Sequence, residues 1–569
     1  MAVDRATRSV SVRGRELDVV IVAAAALVLL VPLVEVVSAL RHPWIPASDW
    51  ALIELHVRDV GGRHTPLVGA YSRFGWRHPG PWAFYLMAPF YRLAPADRGL
   101  AFGAAMVNLA MVAAYVAVVV RFGRTQALVA LLGLAVLLRG LGAGFVADPW
   151  NPNMAILPLA LLMVLGIEIV AGNRTWAGPA AVAAGALAVQ SHLGLLPPVA
   201  MVSVVTVVLA WRLRAAPCPS RRVWAATGAV ALVAWLPPLL DQAFGSGNLW
   251  KLIRWSTGHD INRVSTLEEG RFGPIAVRQR TAWLLDPFGM WLGRVDTPRS
   301  GMHHLLGAYL SWHLLVIVGM LVGAWLLARL ATRWGGGVGR EDRVVRAACA
   351  LAAAGAVGVY LGVKGLRGAP FLWGLRWSAV VVMLLWLALV SAVALVLARR
   401  WPAASPGVQS LALVGVVVAV AWTLGWGTVG AQPFPDESAL WLDFRPKLLA
   451  AMRDDIEADG LIVIQPAPFV YGDQNDTFEV VLERAGVRWV DGHDPDARGL
   501  PHYYVIRSGP DGGGFEDWPS VVARSKVPPR DALRVGRVML VRQEPTSLVS
   551  SLLGVVRAVG GLGYLVSRR

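Results

Sequence analysis

Apolar runs of about 16 to 24 residues recur along this chain, close to the length a helix needs to cross a bilayer. They occupy positions 17–40, 100–120, 223–240, 305–327, 344–362, 378–398 and 411–426. Of the 569 residues, 56% are hydrophobic and only 16% are charged. A soluble chain of this size has no use for so much apolar surface, so most of it belongs in lipid. The first run reads as a span and not as a signal peptide: it is too long, lacks a small-residue cleavage site and belongs to a series.

The basic residues set the expected orientation. Arg5, Arg8, Arg13 and Arg15 precede the first run, and Arg121, Arg124 and Arg174 follow later ones. Arg212, Arg214, Arg221 and Arg222 fill one turn, Arg333, Arg340, Arg343 and Arg346 the next, and Arg399 and Arg400 close the set. The short turns 148–152 and 190–195 contain neither Lys nor Arg. The positive-inside rule then places the N-terminus in the cytoplasm and those two turns outside. The stretch 178–211 has basic turns on both flanks, so an even number of crossings is needed. It divides into two short helices at Gln190-Ser191-His192, which makes eleven spans and leaves the C-terminus outside. Placed this way, the net charge of +16 is explained by membrane topology, and nucleic acid is not an expected partner. Cys218 and Cys349 have no metal-site or disulfide spacing. The abundance of Ala, Val, Gly, Arg and Trp matches a high-GC bacterium, and the expected location is a bacterial plasma membrane.

Three regions lie outside in this parse. The first, 41–98, contains the aromatic segment 81–93, too short to span. It reads as an interfacial helix with Trp82, Tyr85 and Tyr91 in the headgroup layer. The second, 241–304, carries Lys251, Arg254, Trp255 and Arg263. The third, 431–545, is polar. It has short strand-like runs at 460–465, 503–507 and 535–541 and helical patterns at 448–458 and 478–485. The last stretch, 546–569, is amphipathic or apolar and is expected against the bilayer. The expected architecture is an α-helical polytopic membrane protein of about 11 transmembrane helices in residues 1–430, with a small extracytoplasmic α/β domain at 431–545.

The first loop is the most heavily loaded. From Ser48 it reads SDWALIELHVRDV, and from Tyr71 YSRFGWRHPGPW. A carboxylate follows the membrane exit, then a second, then Arg and His, then a Pro/Gly elbow into an aromatic segment. A loop that merely joined two helices would not need such a density of ionisable and aromatic groups, and it looks like an active site laid on the outer membrane surface. This order resembles the GT-C superfamily of membrane glycosyltransferases and is similar to its aminoarabinose and protein mannosyl transferase branch. Those enzymes share a first span, a long external loop opening with a carboxylate (here Asp49), and a basic Pro-rich motif (Arg77-His78-Pro79-Gly80-Pro81-Trp82). A second span then ends in a basic turn (Arg121-Phe122-Gly123-Arg124). Asp148-Pro149-Trp150-Asn151-Pro152-Asn153 falls where that branch has another polar motif, between the third and fourth spans. The match covers order and topology up to about residue 200. It departs in detail: the aminoarabinose transferases carry Lys before Pro-Pro where this chain has His78 before Pro79-Gly80. They also carry a carboxylate pair where Asp49 is followed by Trp50.

The resemblance implies transfer of a sugar from a polyprenyl-phosphate donor to an extracytoplasmic glycan, lipid or protein. The acceptor hydroxyl must lose a proton as it attacks the anomeric carbon, which asks for a carboxylate base. The departing lipid phosphate asks for cations near the bilayer. Asp49 is the candidate base. Ser48 or Asp49 could equally cap the helix whose pattern runs through Leu52, Leu55 and Val57, and the two roles are compatible. Arg77 and His78, with Arg73 nearby, are candidates for the donor phosphate; the alternatives are snorkelling to headgroups or pairing with Asp59. Lys364, Arg367 and Arg376 form a second cationic group in a turn expected outside, where Lys and Arg are scarce. Lipid phosphate would account for them, and so would interface anchoring.

Glu54, Tyr71, Arg73, Arg139, Asp148, Trp150, Asn151 and His192 are candidates for lining a substrate cavity. Glu54 could instead be solvated or paired with Arg58. Arg139 lies within the third span, where a charge must face the protein interior, and Asp148 is its expected partner. His192, in the break, reads equally as a packing histidine. No cofactor is expected: His303-His304 point two ways and no spacing resembles a ligand set, although a divalent ion is not excluded. The main rival is a transporter or flippase for a lipid-linked or polar solute. Many transporters contain inverted repeats, and the two halves of this chain show no self-similarity. A ligase taking a lipid-linked polymer would share the cationic site, and a scaffold explains the spans but not the crowded first loop.

Overall fold

The computed structural model describes residues 9–12, 15–72, 74–172, 176–213, 220–259, 281, 284–287, 312–335, 338–365, 374–425, 429–464, 474–491, 500, 502–507, 532–535 and 538–543. Among these, ten helices are long and apolar enough to cross a membrane, and Ala177–Ser191 is a further, shorter apolar helix. The chain is a multi-pass membrane protein. Large apolar side chains stand exposed along several of these helices, among them Val204 and Val207, Leu232 and Leu236, Leu315 and Val318, Leu411 and Val414. Faces of this kind belong against acyl chains. The span Asn151–Gly172 is the opposite case: 94% of its apolar window is buried, and it is the centre of the bundle.

The 178–211 stretch divides as its sequence suggests, into Ala177–Ser191 and Leu196–Leu213 with a 3-10 turn at Leu193–Leu195 between them. The run expected at 305–327 appears as the helix Trp312–Trp334, with residues 305–311 outside the described set. The segments 260–280 and 546–569, with Arg73, Arg263, Arg367 and His303-His304, also fall outside it.

The chain forms two compact units. The first comprises Met1–His42, Val60–Ala94 and Gly99–Gln432. A short antiparallel hairpin, β1 (Ser9–Val12) with β2 (Arg15–Asp18), precedes the first span. Asp18 then caps that span by accepting the Val20 N–H at 2.8 Å. Close helix approach depends on small residues. A Cβ on Gly358 would lie 2.3 Å from the Pro198 Cα, so the helices Arg340–Lys364 and Leu196–Leu213 can touch there only because that position carries no side chain. At the Arg-rich end of the bundle, buried carboxylates are paired. Glu168 meets Arg340 at 2.8 Å, and Asp342 meets Arg399 at 2.6 Å while accepting from Thr332 and the Gly339 N–H.

The aromatic helix of the first loop spans Trp82–Leu93, and its rings have protein surroundings. Tyr91 is buried, the Trp82 indole donates to the Ala234 carbonyl at 2.8 Å, and the Tyr85 hydroxyl donates to the Pro66 carbonyl at 2.6 Å. The helix packs on Gly99–Val119 and Ala177–Ser191, while the two hydrogen-bond partners come from the helix Arg221–Phe244 and from the loop ahead of Trp82.

The second unit comprises Pro43–Asp59, Pro95–Arg98 and Pro433–Arg569. Its five-stranded mixed sheet has the order β4-β3-β5-β7-β6, where β3 is Leu461–Ile464, β4 Arg488–Asp491, β5 His502–Arg507, β6 Ala532–Val535 and β7 Val538–Gln543. β3 pairs in parallel with β4 and β5, and the connection from β3 to β4 is the helix Gln474–Arg484. Ile45, Trp441, Phe444, Leu448, Ile462, Phe478 and Tyr503 make its core. The helix Asp49–Asp59 belongs here too, with Ala51 and Leu55 packed on Val480.

Candidate functional site

At one end of the bundle, turns from distant parts of the sequence fix one another's backbones. Residues 69–78 fold back as a small hairpin: Gly69 N–H donates to the His78 carbonyl at 2.9 Å, His78 N–H to Ala70 at 2.8 Å, and Ser72 N–H to Trp76 at 2.9 Å. Tyr71 and Arg77 form the bridge between its arms. The buried His78 ring accepts the Leu193 N–H on Nδ1 at 3.1 Å, which leaves the proton of the neutral imidazole on Nε2. Burial, and then the neighbouring His192 ring, push His78 well below the usual histidine range. The two imidazoles stack with centroids 5.1 Å apart.

The elbow after His78 is glycine for a steric reason. A Cβ on Gly80 would lie 2.1 Å from Gln190 Oε1. Gln190 is held there by donating from Nε2 to the Ala234 carbonyl at 2.7 Å, the same oxygen that takes the Trp82 indole. That oxygen is available because Pro238, four residues on, has no N–H to return to it. In the last turn of the same helix, Asp241 accepts from Ser246 N–H, Ser246 Oγ and Asn248 N–H at 2.9 to 3.0 Å. Asn248 then clasps the Arg77 backbone from both sides, accepting its N–H and donating to its carbonyl, each at 2.8 Å. The Arg77 guanidinium is half-buried. Burial lowers its hold on its proton, and Tyr71 and Asp241 act the other way.

A second array adjoins the first. Asp148 accepts the Trp150 N–H at 3.0 Å and the Asn153 amide at 2.7 Å. Asn153 Oδ1 accepts from Arg376 at 3.2 Å, and Arg376 also donates to the Leu141 carbonyl at 3.1 Å. Asn151 donates to the Ser191 carbonyl at 3.1 Å, which ties this array to the turn bearing His192. Arg376, Asp148, Asn151, Asn153 and Trp150 are all buried. Lys364 is exposed at the end of its helix, so Lys364 and Arg376 are not one solvated cluster. Arg139 does not pair with Asp148. Its guanidinium lies 4.3 Å from the ring centroid of Trp422, because the helices Arg124–Leu141 and Ser405–Gly425 pack together and place an aromatic face against it.

Asp49 and Glu54 lie in the second unit. Ser48 is the cap position of their helix: its carbonyl accepts from Ala51 and Leu52, and Asp49 is the first helical residue and is exposed. Ser48 has φ +54, and Phe434, which packs edge-to-face on Trp50 at 5.2 Å, has φ +50. These are the two non-glycine residues with positive φ among the described residues, each costing about 1–3 kcal/mol, and strain of this kind gathers at functional sites. Glu54 is fully buried and receives Arg484 through both oxygens at 2.8 and 2.6 Å, while Arg58 pairs with Glu483 at 2.7 Å. Glu54 is therefore not solvated, because Arg484 arrives beneath it from the helix Gln474–Arg484.

Gln190, Asn248, Asp241 and Asn153 were not singled out as site residues by sequence reasoning. The consecutive Pro237-Pro238 inside an apolar span was the available signal, since it frees carbonyls at a definite place. Among the described residues no group of three His, Cys, Asp or Glu side chains is disposed to hold a metal.

No protein-family model matches the sequence, and no curated protein does. Among solved structures the chain is similar to ArnT from Cupriavidus metallidurans. For the apo state the TM-score is 0.46 at 15% identity, over 93% of this chain and 98% of that one. For the same protein bound to undecaprenyl phosphate it is 0.49 at 17% identity, over 92% and 97%.

Proposed function

We propose that this protein is a membrane glycosyltransferase that moves a hexose or pentose from a polyprenyl phosphate to an acceptor on the extracytoplasmic side, a cell-envelope glycan, lipid or protein. The observation that supports it is the array at one end of an apolar bundle: Arg77 and Arg376, two neutral imidazoles, and the amides of Asn151, Asn153, Gln190 and Asn248, on turns that hold one another. A donor of this class keeps its chain along lipid-facing helices and brings its phosphate to a helix end. Two arginines at such an end offer planar, multiply donating cations to the leaving phosphate. Lys364, exposed at its helix end, adds attraction for an anionic headgroup.

In this reading Asp49 is the general base. The acceptor oxygen bonds to the anomeric carbon as its proton passes to the Asp49 carboxylate. The bond from that carbon to the phosphate oxygen breaks, and polyprenyl phosphate leaves with the electron pair. The strained Ser48 ahead of Asp49 favours a carboxylate held for a task over a simple cap.

The test is sugar transfer by the purified protein with a panel of polyprenyl-phosphate sugars, wild type beside Asp49→Asn. Turnover of one donor with a loss of about 100-fold or more in the variant is expected. Full turnover in Asp49→Asn would remove the base assignment. Absence of turnover with every donor, together with no donor-induced thermal stabilisation, would leave the transporter reading in its place.

A further inference from the structure

Resting on the donor reading, we infer that the aromatic run through Phe74, Trp76 and Trp255, together with the Gln190-Ser191-His192 turn, is a subsite for the sugar ring of the donor. The rings form a connected series. Phe74 stacks on Trp255 with centroids 5.4 Å apart, Trp255 lies 5.1 Å from Trp76, and Trp76 meets His78 edge-on at 5.3 Å. His78 in turn stacks on His192, which brings the series to the turn that breaks the two short helices. Phe74 is half-buried and Gly75 at the hairpin tip is exposed, so the series reaches the surface of this unit.

The series also carries a group of buried polar atoms. Trp76 Nε1, Trp255 Nε1, Gln190 Oε1, Ser191 Oγ and His192 Nδ1 are buried and have no hydrogen-bond partner among the described residues. Trp76, Trp255, Gln190 and Ser191 are each at least nine-tenths buried. An unmet buried donor or acceptor costs about 1–3 kcal/mol, so five of them side by side call for a ligand that supplies both donors and acceptors. They differ in type: indole N–H groups donate, the Gln190 carbonyl accepts, and the hydroxyl and imidazole can do either. A sugar ring has the matching chemistry. Its C–H faces, with their positive edges, rest on the negative faces of aromatic rings, and its hydroxyls both donate and accept. An acyl chain would satisfy none of the five atoms, and a bare phosphate would satisfy the donors alone.

The experiment measures binding of undecaprenyl phosphate and of sugar-bearing undecaprenyl phosphates to the full-length protein in nanodiscs free of glycoside detergents. The variants are Trp76→Phe and Trp255→Phe, which keep a ring but lose the N–H, and Ser191→Ala, which loses only the hydroxyl and keeps the carbonyl that Asn151 holds. Trp250→Leu, an exposed residue on the same helix as Trp255, is the control. The wild type should hold one sugar-bearing lipid more tightly than the bare lipid. Each of the three variants should lose about 5- to 10-fold of that preference without weakening undecaprenyl phosphate itself, and the control should match wild type. Variants that keep the full preference would overturn the subsite and leave the donor reading standing. Equal weakening for both lipids would also overturn it, since the residues would then be supporting the phosphate site or the fold. Failure of the wild type to bind either lipid would instead remove the donor reading itself, and the subsite with it.

Discussion

Removing Arg484 from beneath Glu54 should destabilise the second unit by about 3–5 kcal/mol, the usual cost of leaving a buried charge without its ion-pair partner. Glu54 is 0% exposed and Arg484 3%, and two short contacts at 2.8 and 2.6 Å join them. Arg484 also donates to the Trp44 carbonyl at 3.0 Å, so Arg484→Ala removes two supports at once. The reverse change, Glu54→Gln, leaves the guanidinium half-satisfied and should cost somewhat less. Replacing both together, as Glu54→Met with Arg484→Met, substitutes packed apolar volume for a desolvated pair. Such replacements are often neutral or stabilising. Hydrogen exchange of full-length protein in detergent reads this directly, through peptides covering Asp49–Asp59 and Gln474–Arg484. A loss of 3–5 kcal/mol appears as exchange faster by about 100- to 1,000-fold or more, and the double variant should recover most of the protection. Near-normal protection in Arg484→Ala would refute the reasoning, because the carboxylate would then be reaching water. A double variant as unstable as the single one would refute it as well, since shape and not charge would be at stake.

Other expectations concern the first unit. Gly80→Ala should cost about 1–3 kcal/mol in thermal melts of the solubilised protein, because its methyl displaces Gln190 from the Ala234 carbonyl, and adding Gln190→Ala should shrink that penalty. Gly358→Ala should cost more and find no such rescue, because its methyl meets the Pro198 backbone and the two helices themselves must part. Arg376→Lys should fail to restore donor affinity in the way a retained charge would, since one ammonium cannot reach both Asn153 and the Leu141 carbonyl along the guanidinium's geometry. His78, held neutral when folded by burial and by His192, is protonated in the unfolded chain below about pH 6.5, so the unfolded state binds the extra proton. Stability should therefore be present above pH 6.5 and fall as pH drops below it. His78→Gln should flatten that fall, and an unchanged slope in melts from pH 7.5 to 5 would count against a buried neutral His78.

The spans were legible because membrane crossing is a demand on length and apolarity alone, and both are written locally. The break at Gln190-Ser191-His192 was legible for the same reason: three polar residues interrupt an apolar stretch between basic turns. Side-chain partnership was not. Glu54 and Arg484 are far apart in sequence, and nothing near Glu54 announces a partner beyond the adjacent Arg58, which goes to Glu483. The three cations Lys364, Arg367 and Arg376 look equivalent in sequence. Burial separates Arg376 from Lys364, and burial depends on helix packing that no local window contains. Arg139 shows the same limit: the need for an inward-facing charge was readable, but a ring from the helix Ser405–Gly425 and not a carboxylate meets it. The Asn248 clasp on Arg77 depends on a turn organised by Asp241, and only the prolines upstream of it were visible as a local irregularity.

The second unit's three-part construction imposes a delay on biosynthesis. Its helix Asp49–Asp59 is made early, yet the residue that neutralises Glu54 is added 430 positions later. At ordinary translation rates that interval is about 20 to 90 s. Throughout it the chain holds a carboxylate and the apolar side chains Ala51 and Leu55 without the surface that finally covers them, while span after span enters the membrane. A chain cut short before Arg484 would leave this helix unfinished, and a fragment beginning at Pro433 would lack it altogether. The segment bearing Arg484 thus completes the first loop long after that loop is made, and a chain that stops short of it lacks a finished Asp49 helix.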